Sequence, residues 1–265
     1  MGIKSGRQAL QFARNLKKRR AREAKQRFLM EGMNFVEDAL RKRMNLDFIL
    51  YTEKILQRER GKRILQQASL HGVSLFLVNE REFKAIAETE SPQGILAVGV
   101  KPDWQEENLL RRPEGLYLAL DGIQDPGNLG TILRTGDGVG VSAVYLGRGT
   151  VDLYNPKVLR ATMGSIFRVP VFSQVDLAER LAKMRSRRVF VVASDPRDGI
   201  TYFQANLKHP RLALVIGNEA RGVRPELQAL ADEIVTIPLR PGVESLNAAV
   251  ATALILYEIY RQNTV

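Results

Sequence analysis

Apolar positions in the first hundred residues recur at two different periods. Phe35, Val36, Ala39 and Leu40 have helical spacing within residues 32–44, and 47–51 is a short apolar run that predicts a strand. Residues 55–68 repeat the helical pattern, 73–78 the strand pattern, 80–87 a further helix and 94–100 a further strand. Together they predict a small α/β unit. Periodicity lapses over 101–114, where Pro102, Pro113 and several charges gather, which marks a linker. Beyond it, apolar strands are predicted at 116–120, 143–146, 189–193, 212–216 and 234–237, with helical stretches between them. Such strands predict a parallel sheet covered on both faces, with ligands at the strands' carboxyl ends.

Composition narrows the chemistry. A chain of 265 residues is longer than one ordinary core requires, in keeping with two domains. No run approaches the roughly 18 apolar residues of a membrane helix, so no membrane association is expected. There is no Cys and there are two His, His71 and His209. Disulfides, cysteine zinc sites, iron-sulfur clusters and thiol nucleophiles are thereby excluded, and a Ser-His triad would have to use one of those two histidines. No metal is expected. The basic start lacks the apolar core and small-residue cleavage site of a secretory signal, so a cytoplasmic location is expected.

The formal charge of +11 comes from 40 Lys and Arg against 29 Asp and Glu, and its distribution is uneven. Residues 1–27 hold ten bases and one acid, Glu23, whereas 28–112 are balanced at 13 against 13. Almost the whole excess therefore sits in a basic N-terminal arm, which suits neutralisation of nucleic-acid phosphates. The plainer alternative is a solvated, partly helical tail. Anionic membrane fits less well, because bulky apolar residues are sparse between the charges.

Three loops carry candidate chemistry. In the first, residues 121–134, Pro126 and Gly127 make a turn between strand and helix, Asn128 is placed to cap that helix, and Arg134 lies six residues on. Gly136, Gly138 and Gly140 mimic a dinucleotide fingerprint but sit at a helix end rather than after a strand, so they are not one. In the second, a strand runs into Gly217, Asn218, Glu219, Ala220, Arg221 and Gly222, where glycine permits close approach of a ligand to the backbone. In the third, residues 237–247 precede an Ala-rich helix that Ser245 or Asn247 could cap. Taken singly, each loop also reads as ordinary turn and capping chemistry.

In order and spacing the three loops resemble the motifs of the SpoU (TrmH-like) branch of the SPOUT RNA methyltransferases. Residues 128–134 are similar to the family's first motif, 217–222 to its second, and Ile237, Pro238 and Leu239 with Ser245, Leu246 and Asn247 to its third. The first half, including Glu31, Gly32 and 92–97, resembles the substrate-binding domain that often precedes that catalytic domain and is itself like ribosomal protein L30e. The run of Ala after Asn247 is a mild departure with no catalytic consequence.

The resemblance implies an α/β fold: a C-terminal SPOUT parallel sheet with a deep trefoil knot, plus a smaller N-terminal α/β L30e-like domain. The expected division is a basic arm (1–27), the L30e-like domain (28–100), a linker (101–114) and the methyltransferase domain (115–265). It implies S-adenosyl-L-methionine as cofactor, held by Ser194, Gly217, Asn218, Ile237, Leu239 and Leu246. It also implies a homodimer whose sites are built across the interface, with the Ala-rich helix in that contact. The reaction implied is methyl transfer to a ribose 2′-hydroxyl of RNA, with Arg134 as the catalytic arginine. A guanidinium with a pKa above about 12 is a poor proton acceptor, so Arg134 is expected to stabilise phosphate and alkoxide charge. Asn128, Glu219, Ser245 and Asn247 are expected to organise the ribose and cofactor loops. Ribosomal RNA is favoured over transfer RNA, because a large structured target rewards extra shape and phosphate contacts. The rivals are a base-nitrogen methyltransferase, a non-catalytic RNA-binding or ribosome-assembly protein and, more distantly, a nicotinamide-dependent oxidoreductase.

Overall fold

The structure is a computed structural model that describes residues 2–218 and 221–264, and its chain divides into two compact units. The first comprises residues 1–103 together with 154–160, and the second comprises 104–153 and 161–265. Among the described residues no helix is long and apolar enough to cross a membrane.

The first unit contains α1 (Gly6–Asn15), α2 (Arg19–Lys25), β1 (Arg27–Glu31), α3 (Met33–Arg41), β2 (Leu46–Tyr51), α4 (Glu53–Leu56), α5 (Glu59–Leu70), β3 (Ser74–Leu77), α6 (Glu80–Lys84) and β4 (Ile95–Val100). Its four-stranded sheet has the order β1-β4-β2-β3, antiparallel except for β2 and β3. Alternate residues Phe48 and Leu50 of β2, and Leu96 and Val98 of β4, form one core with Phe83 and Ile86. That core includes part of the basic N-terminal segment. Ala9, Leu10 and Ala13 fall on one stripe of α1 and, with Leu16 just after it, are buried in that core. The segment read as an arm is therefore a packed helix pair over much of its length. Arg22 is buried and donates to the carbonyls of Leu16 and Lys17 at 2.9 and 2.7 Å, satisfying groups that α1 leaves open at its end. Arg27 pairs with Asp47 at 2.6 Å. Lys4, Arg7 and Arg14 point their charges outward.

Two further differences from the periodicity have local causes. The single helix expected over 55–68 is two, because the chain turns at Gln57 and Arg58 so that Gly61 lies against Ile55. A Cβ on Gly61 would come within 2.3 Å of the Ile55 carbonyl oxygen. Residues 154–160 follow the second unit's strand at 143–147 yet cluster with the first unit, where the Tyr154 ring meets Phe28 at 4.8 Å.

The second unit contains α7 (Glu106–Leu110), β5 (Gly115–Asp121), α8 (Pro126–Gly138), β6 (Ala143–Gly147), α9 (Pro156–Ala161, mostly in the first unit), β7 (Val171–Val175), α10 (Leu177–Ser186), β8 (Phe190–Ser194), β9 (Ile200–Thr201), β10 (Arg211–Gly217), α11 (Pro225–Gln228), β11 (Glu233–Thr236) and α12 (Ala248–Thr264). All seven strands are parallel, in the order β7-β6-β5-β10-β8-β11-β9. One face of the sheet buries Tyr117, Tyr145, Val191 and Val215 against Leu181 and Met184 of α10. On the other face α8 packs against α12. The stretch read as a linker contains α7, whose Leu109 and Leu110 enter this core. Two residues of α7 also tie it to α10. Glu106 meets Arg180 and Lys183 at 3.1 and 3.0 Å, while hydrogen bonds from Lys183 and Arg187 hold the Glu107 carboxyl down at about 2.

Candidate functional site

The carboxyl ends of the central strands converge on a turn that only glycine permits. β10 ends at Gly217, where a Cβ would lie 1.9 Å from the Gly222 carbonyl carbon and 2.1 Å from the Val223 nitrogen. That proximity exists because Asn218 and Gly222 pair through their backbones, N to O at 3.1 and 2.8 Å. Gly222 sits at φ +67°. The Asn218 side chain donates to the Gly122 carbonyl at 2.8 Å, which fastens the turn to the loop after the neighbouring strand β5. Asp121, opposite Gly217 in the sheet register, is 4 % exposed and receives the Arg224 Nε at 2.9 Å and the Arg224 backbone N–H at 3.1 Å. This buried carboxylate is compensated by charge and hydrogen bonds, which its burial requires. Sequence reasoning missed both Asp121 and Arg224; an acid ending an apolar strand was the available signal.

Around this turn lies a cleft of about 470 Å³, within the range of small-molecule sites. Ser194 at the end of β8, Gly217 and Asn218 after β10, and Ile237, Leu239, Ser245 and Leu246 after β11 all line it. The six positions expected to contact cofactor are thus brought together. Apolar side chains supply its walls and the backbone of the glycine turn one edge, while Asp195, Glu244, Arg197 and Arg221 add charge. Of these four, Arg221 lies in the second loop but was given no role from the sequence, and the other three were not singled out. Such a mixture suits a ligand with a flat apolar part and charged ends, as S-adenosylmethionine has. Among the described residues no cluster of His, Cys, Asp and Glu could hold a metal ion.

The residues expected to be catalytic are distributed differently. Asn128 does not cap α8. Asp125 does, its carboxylate accepting the Asn128 N–H at 2.7 Å, with Pro126 at the first helical position. An acidic cap three residues earlier leaves the Asn128 side chain available, and its Oδ1 accepts from Asn247 Nδ2 at 2.9 Å. Asn247 caps α12 as one of the two alternatives, its Oδ1 receiving the N–H groups of Ala249 and Val250 at 3.0 and 3.3 Å. One amide therefore both starts α12 and joins the first loop to the third. Ser245 is exposed at the cleft. Arg134 stands on the exposed side of α8, whose Leu129, Ile132 and Leu133 face the core, and its side chain has no partner among the described residues. It does not line the cleft. Glu219 lies outside the described residues.

The two roles of Asn247 are separable. Asn247→Ala is expected to lower stability by about 1 kcal/mol through the lost cap. Asn128→Ala leaves the α12 cap intact and should retain the melting temperature, yet it removes the acceptor for Asn247, so ligand affinity at the cleft and turnover should fall several-fold. Equal melting and equal activity for Asn128→Ala would show that the link between the loops has no function.

Known proteins match along the same lines. Residues 115–257 match the SpoU rRNA Methylase family, and residues 8–97 match the MRM3-like substrate binding domain. The chain is 36% identical over 232 residues to the 23S rRNA (guanosine(2553)-2'-O)-methyltransferase RlmP of Bacillus subtilis, covering 88% of each chain. It is 38% identical over 178 residues to the 23S rRNA (guanosine-2'-O-)-methyltransferase RlmB of Pseudomonas aeruginosa, covering 65% of this chain and 71% of that one. The crystal structure of an AdoMet-bound rRNA methyltransferase from Sinorhizobium meliloti superposes with a TM-score of 0.83 at 29% identity, over 96% of this chain and 94% of that one. The family match takes in the parallel sheet, the glycine turn and all three loops around the cleft, and so this chain belongs to the SpoU rRNA Methylase family.

Proposed function

We propose that the protein is an S-adenosylmethionine-dependent methyltransferase that modifies a ribose 2′-hydroxyl of ribosomal RNA. The observation that carries this reading is the gathering of all six expected cofactor positions around one cleft at the strand ends. Bound there, S-adenosylmethionine supplies an electrophilic methyl group on a sulfonium centre. Gly217, Asn218 and Gly222 present backbone polar groups, while Ile237, Leu239 and Leu246 exclude water from the apolar part. Asn247 and Asn128 hold the loops that bring the ribose into line. Arg134 binds the adjoining phosphate and the oxygen charge that develops as the 2′-hydroxyl gives its proton to solvent water and its oxygen takes the methyl group from sulfur, which leaves as the neutral thioether. Alignment of nucleophile and methyl group accounts for most of the acceleration. Ribosomal RNA is preferred because RlmP and RlmB carry that substrate in their names.

The site is completed by a second copy. Arg134 stands apart from the cleft's lining, and α12 exposes Val250, Leu254 and Tyr257 along one stripe, 50, 38 and 54 % accessible. Helix α8, which carries Arg134, packs on α12, so a dimer through this stripe would bring Arg134 near the partner's cleft. Leu254→Asp is expected to turn a dimer into a monomer in light scattering and to abolish methylation. A monomeric parent protein would overturn this arrangement.

The remaining assignments follow from the same reading. Residues 104–153 and 161–265 form the catalytic domain, and residues 1–103 with 154–160, including the basic helices α1 and α2, form the RNA-binding domain. The match to the SpoU family supports a trefoil knot in this domain. The enzyme acts in the cytoplasm. The test is incubation with radiolabelled S-adenosylmethionine and unmodified ribosomal or transfer RNA, followed by alkaline hydrolysis. Label in alkali-resistant dinucleotides is expected, from ribosomal RNA; label in mononucleotides would place the methyl group on a base.

A further inference from the structure

The amino-terminal ends of the strands in the second unit carry a cluster that the methyl-transfer cleft does not use. Arg111 and Arg112 precede β5, Arg185, Arg187 and Arg188 precede β8, and Arg211 opens β10; together they line an open basin of about 600 Å³. Two carboxylates answer six arginines. Asp232 pairs with Arg185 at 2.9 Å and also accepts the Val191 N–H at 2.8 Å, while Glu107 pairs with Arg187 at 2.7 Å. Four positive charges remain.

These four are arranged in two ways. Arg211 is held in place, donating to the carbonyls of Arg187 and Leu110, both at 2.6 Å, with its Nε buried and without a partner among the described residues. Arg111, Arg112 and Arg188 are exposed, and none has a side-chain partner among the described residues. Arg188 also occupies a costly backbone position. It follows the end of α10 at φ +61°, with its own N–H bonded to the Arg185 carbonyl and the Val189 N–H to that of Met184. That pattern favours glycine, which stands at the equivalent places after α5 (Gly72) and α8 (Gly140), although Arg43 fills it after α3. Beside the cluster His209 stacks on Phe190, with ring centroids 3.9 Å apart and planes 10° from parallel.

Unpaired guanidinium groups crowded around one basin repel each other, and an anion bound among them relieves that repulsion. Planar guanidinium forks match phosphate oxygens. An open basin with cations on separate loops suits successive phosphodiesters better than a single enclosed anion. We infer that this basin is a second RNA contact, which takes phosphodiester groups of the substrate at the end of the sheet opposite the cleft; the inference rests on the RNA methyltransferase reading. β8 and β10 span five and seven residues. At about 3.3 Å per residue the two ends of the sheet lie roughly 20 Å apart. The basin therefore recognises a part of a folded RNA distant from the methylated nucleotide.

The test uses the full chain and an unmodified 23S rRNA transcript. Binding is measured by filter retention between 50 and 200 mM salt for the parent and for the triple variant Arg111→Gln, Arg112→Gln, Arg188→Gly. With about 0.7 to 0.9 counterions released per phosphate, the triple variant should lower the slope of log affinity against log salt by about 2. Its Kd should rise about tenfold, with S-adenosylmethionine affinity and single-turnover methylation at saturating RNA unchanged. Arg188→Gly alone, at a backbone position that glycine prefers, should melt no lower than the parent and still weaken RNA binding. A parent that binds RNA and a triple variant with the same slope and Kd would overturn the inference and leave the methyltransferase reading intact. A parent that binds cofactor but no RNA would overturn both.

Discussion

Arg134→Ala is expected to reduce methyl transfer by about a thousandfold while leaving folding and S-adenosylmethionine affinity within twofold of the parent. The magnitude is that of removing a donor aimed at a developing oxyanion, roughly 10² to 10³ in rate. The selectivity follows from the side chain's position. Arg134 is exposed on α8, away from the buried Leu129, Ile132 and Leu133, and does not line the cleft, so neither the core nor the cofactor loses a contact. Arg134→Lys separates charge from geometry. An ammonium keeps the positive charge but loses the planar pair of donors, so a loss of roughly 10- to 100-fold is expected if phosphate and alkoxide are held by one guanidinium. Single-turnover rates at saturating RNA, with RNA affinity measured separately, distinguish a slower chemical step from weaker binding. Full turnover by Arg134→Lys with unchanged RNA affinity would falsify the bidentate role.

The catalytic half of the molecule was readable because parallel strands buried on both faces leave nearly continuous apolar runs. β5, β6, β8, β10 and β11 all coincide with such runs. Three of the four edge strands were not readable in the same way, whereas β3, also at an edge, falls on the apolar run at 73–78. β7 mixes Ser173 and Gln174 into its five residues, β9 is two residues long, and β1 alternates buried Phe28 and Met30 with partly exposed neighbours directly after a run of bases. The N-terminal helices were hidden for a related reason. Two of the three buried residues of α1 are alanines, which carry little hydrophobic signal between so many charges. α7 was lost because its two core residues, Leu109 and Leu110, are too few to establish a period.

The site shows the same division between pattern and contact. Glycine positions, strand ends and the order of the three loops are properties of the sequence, and they marked the positions that the fold gathers at the cleft. Pairwise partners are not. That Asp125 rather than Asn128 caps α8 depends on a one-turn offset within a loop rich in possible caps. The bond from Asn247 to Asn128 joins residues 119 apart, and the Asp121–Arg224 pair joins residues 103 apart. No local pattern encodes contacts of that range. They arise because the sheet places β5 beside β10 and brings α8 against α12.

Gly217→Ala is expected to cost the protein its cofactor affinity by at least tenfold and its stability by about 1 to 3 kcal/mol, the range for forcing an extra methyl group into a packed site. The added carbon would meet backbone rather than a movable side chain, at 1.9 Å from the Gly222 carbonyl carbon, 2.1 Å from the Val223 nitrogen and 2.2 Å from the Gly222 oxygen. Relief requires the paired backbones of Asn218 and Gly222 to part. That movement would also disturb the Asn218 bond to the Gly122 carbonyl and, through Val223 and Arg224, the support of the buried Asp121. Gly222→Ala is the matched control. It adds the same methyl group to the same turn, but among the described residues nothing lies within 4 Å of it, and the φ of +67° opposes it, at about 1 kcal/mol. Calorimetric titration with S-adenosylmethionine and thermal melting of the two variants compare steric closure with backbone strain. If both lose cofactor affinity equally, the turn matters through its flexibility; if Gly217→Ala alone loses it, the close approach of the two backbone segments is what shapes the cleft.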